Sequence, residues 1–224
     1  MADPLAHSYY AATAGERPEC TALAGQHECD LVIIGGGFTG LSSAYFAAQK
    51  GFSVILLEAE QVGFGASGRN GGQLIPGLRW AASEIDAEFG RERAQAIFDL
   101  AWRGGQRVFD LVKMHDLDCD LKYGHFEVAY KPEHFCHMVE EAEFLSREFG
   151  WYSIDIVQKD QLEGHIDGGD YHGGLYERAG GHFHPLNYAL GLARLAKAEG
   201  VAIYENSRAV SVSVWPSAMN SRAG

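Results

Sequence analysis

Residues 30–58 constrain this chain more than any other stretch, because strand, glycine turn, helix, second strand and acid follow one another in register. Asp30 leads into Leu31-Val32-Ile33-Ile34, a short β-branched apolar run of the kind that forms a buried parallel strand. The chain then turns through Gly35-Gly36-Gly37-Phe38-Thr39-Gly40 and enters a helix, whose apolar positions Leu41, Ala44, Tyr45 and Ala48 recur at helical spacing. Gly51 closes that helix. A second strand, residues 53–57, ends on Glu58.

Each piece has a physical task in dinucleotide binding. Gly35 permits the tight turn off the strand, Gly37 carries no Cβ to hold a pyrophosphate away from the backbone, and Gly40 lets the helix pack closely on the sheet. The helix N-terminus offers unpaired N–H groups and a partial positive charge to the phosphates. Glu58 falls 18 residues after Gly40, where a carboxylate at the tip of the second strand accepts hydrogen bonds from ribose hydroxyls. A lone G-x-G-x-x-G is a weak signal. All five parts in register point to a dinucleotide site.

Composition narrows the partners. Eighteen basic residues against thirty acidic ones give a formal charge of −12, which argues against a nucleic-acid surface and against adsorption to anionic lipid. No apolar run approaches the roughly 20 residues of a membrane span. Cys20, Cys29, Cys119 and Cys136 are scattered without C-x-x-C spacing, and residues 1–21 lack the basic and apolar regions of an export signal. Reduced thiols in a cytoplasmic protein are expected. Oligomeric state is not legible.

A second glycine-rich stretch follows Glu58: Gly63-Phe64-Gly65-Ala66-Ser67-Gly68-Arg69-Asn70-Gly71-Gly72-Gln73. Its glycines let main chain approach a flat ligand, and Ser67 with the free N–H groups can bond phosphate or ring atoms. Residues 83–115 read as two helices with a break at Gly104-Gly105, and residues 125–130 as a strand stopped by Pro132. Residues 133–149 form an amphipathic helix ending at Gly150, 153–157 a short strand, and 159–166 a short helix. A strand at 175–177, a helix over 186–199 stopped by Gly200 and a strand at 201–204 complete the pattern.

Taken with Asp30 to Ala44, the pair Glu58-Ala59 and the run from Gly63 to Leu74 resemble the D-amino-acid-oxidase superfamily of FAD enzymes. Within it they are most similar to the gamma-glutamylputrescine oxidoreductase group. Ser8-Tyr9-Tyr10-Ala11-Ala12 and Gly180-Gly181-His182-Phe183-His184-Pro185-Leu186-Asn187 share that likeness, which runs from about residue 8 to about residue 212. The Gly68-Arg69-Asn70-Gly71-Gly72 piece is its most specific part.

The resemblance implies an α/β fold: a Rossmann-like FAD-binding domain plus an incomplete α+β substrate domain. It implies an arm at 1–28, the FAD-binding domain at 29–115 and 179–212, a partial substrate domain at 116–178, and an atypical tail at 213–224. It implies FAD held at Gly35, Gly37, Phe38, Thr39 and Gly40, at Glu58 and Ala59 beside the ribose, and at Ala66, Ser67, Asn70, Gly71, Gly72 and Gln73 along pyrophosphate, ribityl chain and flavin. A main-chain contact to adenine falls at Val210. The implied reaction oxidises the C–N bond of a small-molecule amine or amino acid, such as a gamma-glutamylated polyamine, to an imine, with oxygen as acceptor. Family members are considerably longer than this chain, so a truncated, non-catalytic FAD-binding chain stands as the alternative, and an NAD(P)-dependent reductase as a third.

Other chemistry is weaker. His134, His137 and Glu140 share one helix face without a further ligand, H-E-x-x-H is absent, and no metal is expected. Gly65-Ala66-Ser67-Gly68-Arg69 departs from G-x-S-x-G at its last residue, which argues against a hydrolase elbow. His182 and His184 fall in a strand-to-helix turn with Pro185 at the first helical position. Tyr123, His125 and Arg178 read as half-buried structural residues, with a pocket-lining role as the sharper reading.

Overall fold

A computed structural model describes residues 8–213. The first seven residues of the expected arm, and the expected tail beyond residue 213, lie outside them. The chain divides into two compact units, one of residues up to 69 together with those from 189 onward, the other of residues 70–188.

In the first unit, β1 (Leu31–Ile34), β2 (Val54–Leu57) and β7 (Ala202–Tyr204) form a parallel sheet in the order β1-β2-β7. Leu31 pairs with Val54 and Ile34 with Leu57; Ile55 pairs with Ala202. Asp30 fixes the start of this register. Its Oδ2 accepts from Ser53 N at 2.8 Å and from the Ser53 hydroxyl at 2.6 Å, and those bonds hold its carboxyl below the usual range. Parallel neighbours need a crossover, and α2 (Phe38–Gln49) supplies the one between β1 and β2. Of the four positions the spacing predicts, Leu41, Ala44 and Tyr45 are buried and Ala48 is half-buried. The segment after α1 (Tyr9–Ala12) lies along the unit's surface. Thr21 bridges Tyr204 in parallel, Arg17 donates to Val62 O, and Arg194 donates to Glu16 O.

The second unit is built on an antiparallel sheet. Its central strand, β6 (Gly173–His182), pairs along its length with β4 (Lys122–Val128). On the other edge β5 (Ile154–Gln158) takes the first half of β6, and β3 (Gln73–Leu74) takes its last two residues. Three helices belong to this unit: α3 (Ala82–Phe89), α4 (Arg91–His115) and α5 (Pro132–Phe149). Pro132, expected only to stop a strand, opens α5 at its first turn.

Several sequence expectations are corrected here. The helical stretch breaks at Gly90, whose φ is +77°, and α4 runs uninterrupted through Gly104 and Gly105. Residues 159–166 give only a 3-10 turn, Lys159–Gln161, because Gly164 turns the chain away at φ +95°. The strand expected at 175–177 is ten residues long, and β3 was not anticipated. The strand expected at 125–130 begins at Lys122 and bulges at Gly124, φ +89°.

The last helix, α6 (Pro185–Ala198), begins at Pro185 as expected. His182 is the final residue of β6 and only His184 sits in the turn. His184 Nδ1 accepts from Asn187 N at 3.1 Å, so a neutral imidazole caps the helix. Burial lowers the His184 pKa, although Asp120 and Asp118 act in the opposite direction. Cys119, fully buried, has its thiol pushed up to about 11 by that burial, which makes it an inert packing residue.

Candidate cofactor-binding site

In the first unit the glycine turn carries the chain from β1 to the N-terminus of α2. Gly35 has φ +107°, a conformation only glycine adopts cheaply. Gly37 is the residue preceding the first turn of α2, in extended conformation. Gly40 is the most tightly held: a Cβ there would lie 1.9 Å from the Gly35 carbonyl oxygen and 3.3 Å from Ile33 Cγ2. The helix therefore rests directly on the turn as well as on the strand.

Two side chains shape this turn. Glu58, at the end of β2, accepts from Gly36 N at 2.6 Å through Oε2 and from Glu60 N at 2.9 Å through Oε1. Each carboxylate oxygen has a second lone pair for a hydroxyl donor. Ser67 stands on a 3-10 turn, Ala66–Gly68, and its hydroxyl accepts from Phe38 N at 3.0 Å. A Cβ on Gly37 would come within 2.8 Å of that hydroxyl. Bare main chain, a helix N-terminus, a hydroxyl and an acid thus meet at one turn. That donor set suits a phosphate-and-ribose ligand.

Arg69 was missed by sequence reasoning as a site-shaping residue. Its Nε donates to Phe64 O at 2.6 Å and its guanidinium lies 4.5 Å from the centre of the Phe64 ring. An arginine five residues after an aromatic inside a glycine loop is the signal that could have found this clamp. Ser207 and Arg208 were missed as well: Ser207 N donates to Glu58 O, and Arg208 donates to Glu60 Oε1 at 3.0 Å. Val210 itself is 89% exposed.

In the second unit, Asn70 Oδ1 accepts from Gly72 N at 2.8 Å and folds the loop back on itself. Gly72, at φ +70°, exchanges main-chain contact with the end of β6. Its carbonyl accepts from Phe183 N at 2.9 Å, and a Cβ would lie 2.1 Å from Phe183 O. Gly71 meets only the Gln73 side chain, at 3.5 Å from a Cβ. The first unit thus brings Gly35, Gly37, Phe38, Gly40, Glu58 and Ser67 to one turn, and the second folds Asn70 to Gly72 into one loop, while Val210 stands apart and exposed.

Residues 30–222 match the sequence pattern of the family described as FAD dependent oxidoreductase (DAO). The chain belongs to that family. The gamma-glutamylputrescine oxidoreductase of Escherichia coli K12 is 34% identical over 205 residues, covering 92% of this chain and 48% of that protein. The chain thus spans about half the length of this curated relative. The structure of L-amino acid deaminase from Proteus myxofaciens in complex with anthranilate superposes with a TM-score of 0.70 at 25% identity, over 87% of this chain and 41% of that one. Glycine oxidase from Geobacillus kaustophilus, 22% identical, gives 0.62 over 81% and 47% and shows the shared fold. FAD is the DAO family's cofactor, and the parallel sheet with its glycine turn is the family's Rossmann-like FAD-binding fold. Among the described residues no helix is long and apolar enough to cross a membrane, and no group of three or more His, Cys, Asp or Glu side chains is placed to hold a metal ion.

Proposed function

We propose that this chain binds FAD and contributes to the oxidation of a small amine or amino acid at its C–N bond, with oxygen as acceptor. The observation that carries the reading is the convergence at one turn of the α2 N-terminus, the Ser67 hydroxyl and the Glu58 carboxylate. In this reading Phe38 and Thr39 face the pyrophosphate at the turn formed by Gly35, Gly37 and Gly40. Glu58 and Ala59 meet the ribose. Ala66, Ser67, Asn70, Gly71, Gly72 and Gln73 line the path towards the flavin, and the Val210 main chain meets adenine. FAD, when bound, supplies the two-electron acceptor that lets an amine become an imine. The chain's own part is to hold charge and exclude bulk: helix N–H groups and the Ser67 hydroxyl oppose the phosphates, and glycines keep the approach clear.

A gamma-glutamylated amine is the substrate favoured by the 34% identity to the Escherichia coli enzyme. The formal charge of −12 suits a small cationic substrate rather than a nucleic acid, and the unpaired cysteines suit a cytoplasmic setting. Residues 29–115 and 179–212 are taken as the FAD-binding domain and residues 116–178 as a partial substrate domain. The test is flavin retention through gel filtration, then anaerobic bleaching of the flavin bands by gamma-glutamylputrescine, glycine and D-alanine. It should be run on this chain and on a version extended with the remaining half of the relative. Loss of flavin from both chains overturns the reading. Retention without bleaching in either supports a non-catalytic FAD-binding protein instead.

A further inference from the structure

The parallel sheet of the first unit has two edges, and the chain treats them differently. At the β7 edge the segment after α1 lies alongside: Thr21 bridges Tyr204 in parallel, and Thr21 O accepts from Glu205 N at 3.1 Å. At the β1 edge no further strand pairs among the described residues. An open edge is a template for another strand, and proteins commonly blunt it with a lysine, a proline or a bulge. β1 reads Leu-Val-Ile-Ile and has none of these. Leu31, Val32 and Ile34 are 38%, 52% and 59% exposed.

The hydrogen bonds already made fix what this edge offers. Leu31 N donates to Ser53 O and Gly35 N to Leu57 O, so alternate residues from Leu31 turn their main chain towards β2. Val32 and Ile34 therefore present their N–H and C=O groups outward. Their side chains share the face opposite Ile33, whose Cγ2 would lie 3.3 Å from a Cβ on Gly40 of α2.

A second copy of β1 meets these requirements at one register. With the two strands antiparallel about a two-fold axis at Ile33, each Val32 faces the partner's Ile34. Each such pair exchanges both of its N–H···O bonds, and β-branched side chains meet across the strands. Leu31 then faces the partner's Gly35, which has no side chain to clash with it. Asp30, the nearest charge, falls opposite the partner's Gly36 and is already bonded to Ser53. Residues 31–49 contain no acidic or basic residue, so copies of a chain with formal charge −12 would meet through an uncharged stretch. Beside Leu31, a groove of about 340 Å³ lined also by Phe46 and Phe52 extends the apolar surface.

We infer that this chain forms a two-fold dimer through β1, joining two three-stranded sheets into one continuous sheet. The inference is independent of the FAD reading, because association is measured by mass and not by flavin.

The experiment is sedimentation equilibrium of the purified 224-residue chain. The contact is small beside the roughly 800 Å² per partner of a standard interface, so a 24.4 kDa monomer should exchange with a dimer at a Kd of about 10–100 μM. Val32→Lys and Ile34→Glu each set a charge against an apolar residue of the partner and should weaken the dimer at least about tenfold. Both side chains are more than half exposed, so circular dichroism should match the parent. Mixing the two variants tests the register, since the new lysine of one then faces the new glutamate of the other. With one variant fluorescently labelled, a mixed dimer should return to within about threefold of the parental Kd. A parent chain that stays monomeric up to about 300 μM overturns the proposal and leaves β1 to a strand from a different polypeptide. A dimer indifferent to both substitutions, a mixture that stays monomeric, or assembly beyond a dimer overturns it as well, because this pairing is register-specific and closes on itself.

Discussion

Gly40→Ala adds one methyl group where the structure has least room for it. The new Cβ would start 1.9 Å from the Gly35 carbonyl oxygen, 3.1 Å from its carbon and 3.3 Å from Ile33 Cγ2. Real Cβ contacts do not fall below 3.0 Å, so the first turn of α2 must retreat by more than about 1 Å. That helix anchors Leu41 and Tyr45, 0% and 2% exposed, each worth about 1.5–3 kcal/mol of burial. Overpacking of this kind costs about 1–3 kcal/mol. Better helix propensity returns about 0.8–1.0 kcal/mol of that. A 1.9 Å approach puts the overpacking at the upper end of that range, so the expected net loss is about 2 kcal/mol, read as a lower urea midpoint at unchanged slope. The same retreat carries Phe38 N away from the Ser67 hydroxyl, so FAD affinity should fall about tenfold. Gly104→Ala is the control: its Cβ meets nothing within 4 Å and its backbone is helical. It should gain about 0.5–1 kcal/mol. A Gly40→Ala protein as stable as the parent and equally able to bind FAD would refute the steric argument. A destabilised Gly104→Ala would refute its converse.

Glu58→Ala leaves Gly36 N and Glu60 N without their acceptor and should weaken FAD binding by about 1.5–3 kcal/mol; an unchanged Kd by flavin fluorescence quenching removes Glu58 from the site. Gly37→Val should abolish FAD retention while far-ultraviolet circular dichroism stays close to the parent, because the added bulk enters the space beside the Ser67 hydroxyl; a variant that purifies with parental flavin content contradicts this. His184 has its folded pKa lowered below the usual 6.5 by burial, so the unfolded chain takes up the proton first. Its capping contribution is complete above about pH 6.5 and is lost as pH falls through the lowered folded value. His184→Asn keeps an acceptor at the cap without titrating, and should flatten the stability profile between pH 7.5 and 5 as measured by urea denaturation; an identical profile would show that this imidazole does not couple to folding.

The order and pairing of the first βαβ unit were legible because its signals are local, although β1, expected to be buried, leaves Leu31, Val32 and Ile34 exposed. Gly35 is needed for its φ, Gly40 for a contact five residues away, and the apolar positions of α2 for a single face. The second unit was read less well because its determinants are distant in sequence. Gly104 and Gly105 look like a helix break by propensity, yet Phe98, Phe109 and Leu111 are buried on either side and keep α4 continuous. Glycines usually weaken a strand, and β6 was therefore read too short. In the sheet they are required by neighbouring backbone: a Cβ on Gly174 would lie 2.5 Å from Glu127 O, and one on Gly181 would lie 2.4 Å from Lys122 O. No spacing rule announces a partner strand some fifty residues away.

That contrast sorts the glycines of the second loop. Gly72 is explained within the protein, by its φ of +70° and by Phe183 O lying 2.1 Å from a Cβ. Gly65 and Gly71 are not. Neither has a left-handed φ, a Cβ on Gly65 would meet nothing within 4 Å, and one on Gly71 would meet only the Gln73 side chain in ordinary contact. The protein's own packing would accept alanine at either place, and alanine would cost less chain entropy on folding. Glycine there has a physical reason only if something outside the chain approaches the main chain closely. A flat cofactor lying along this loop is such a reason, and it supports the assignment of Gly71 and its neighbours to FAD on grounds independent of the turn at Gly35–Gly40.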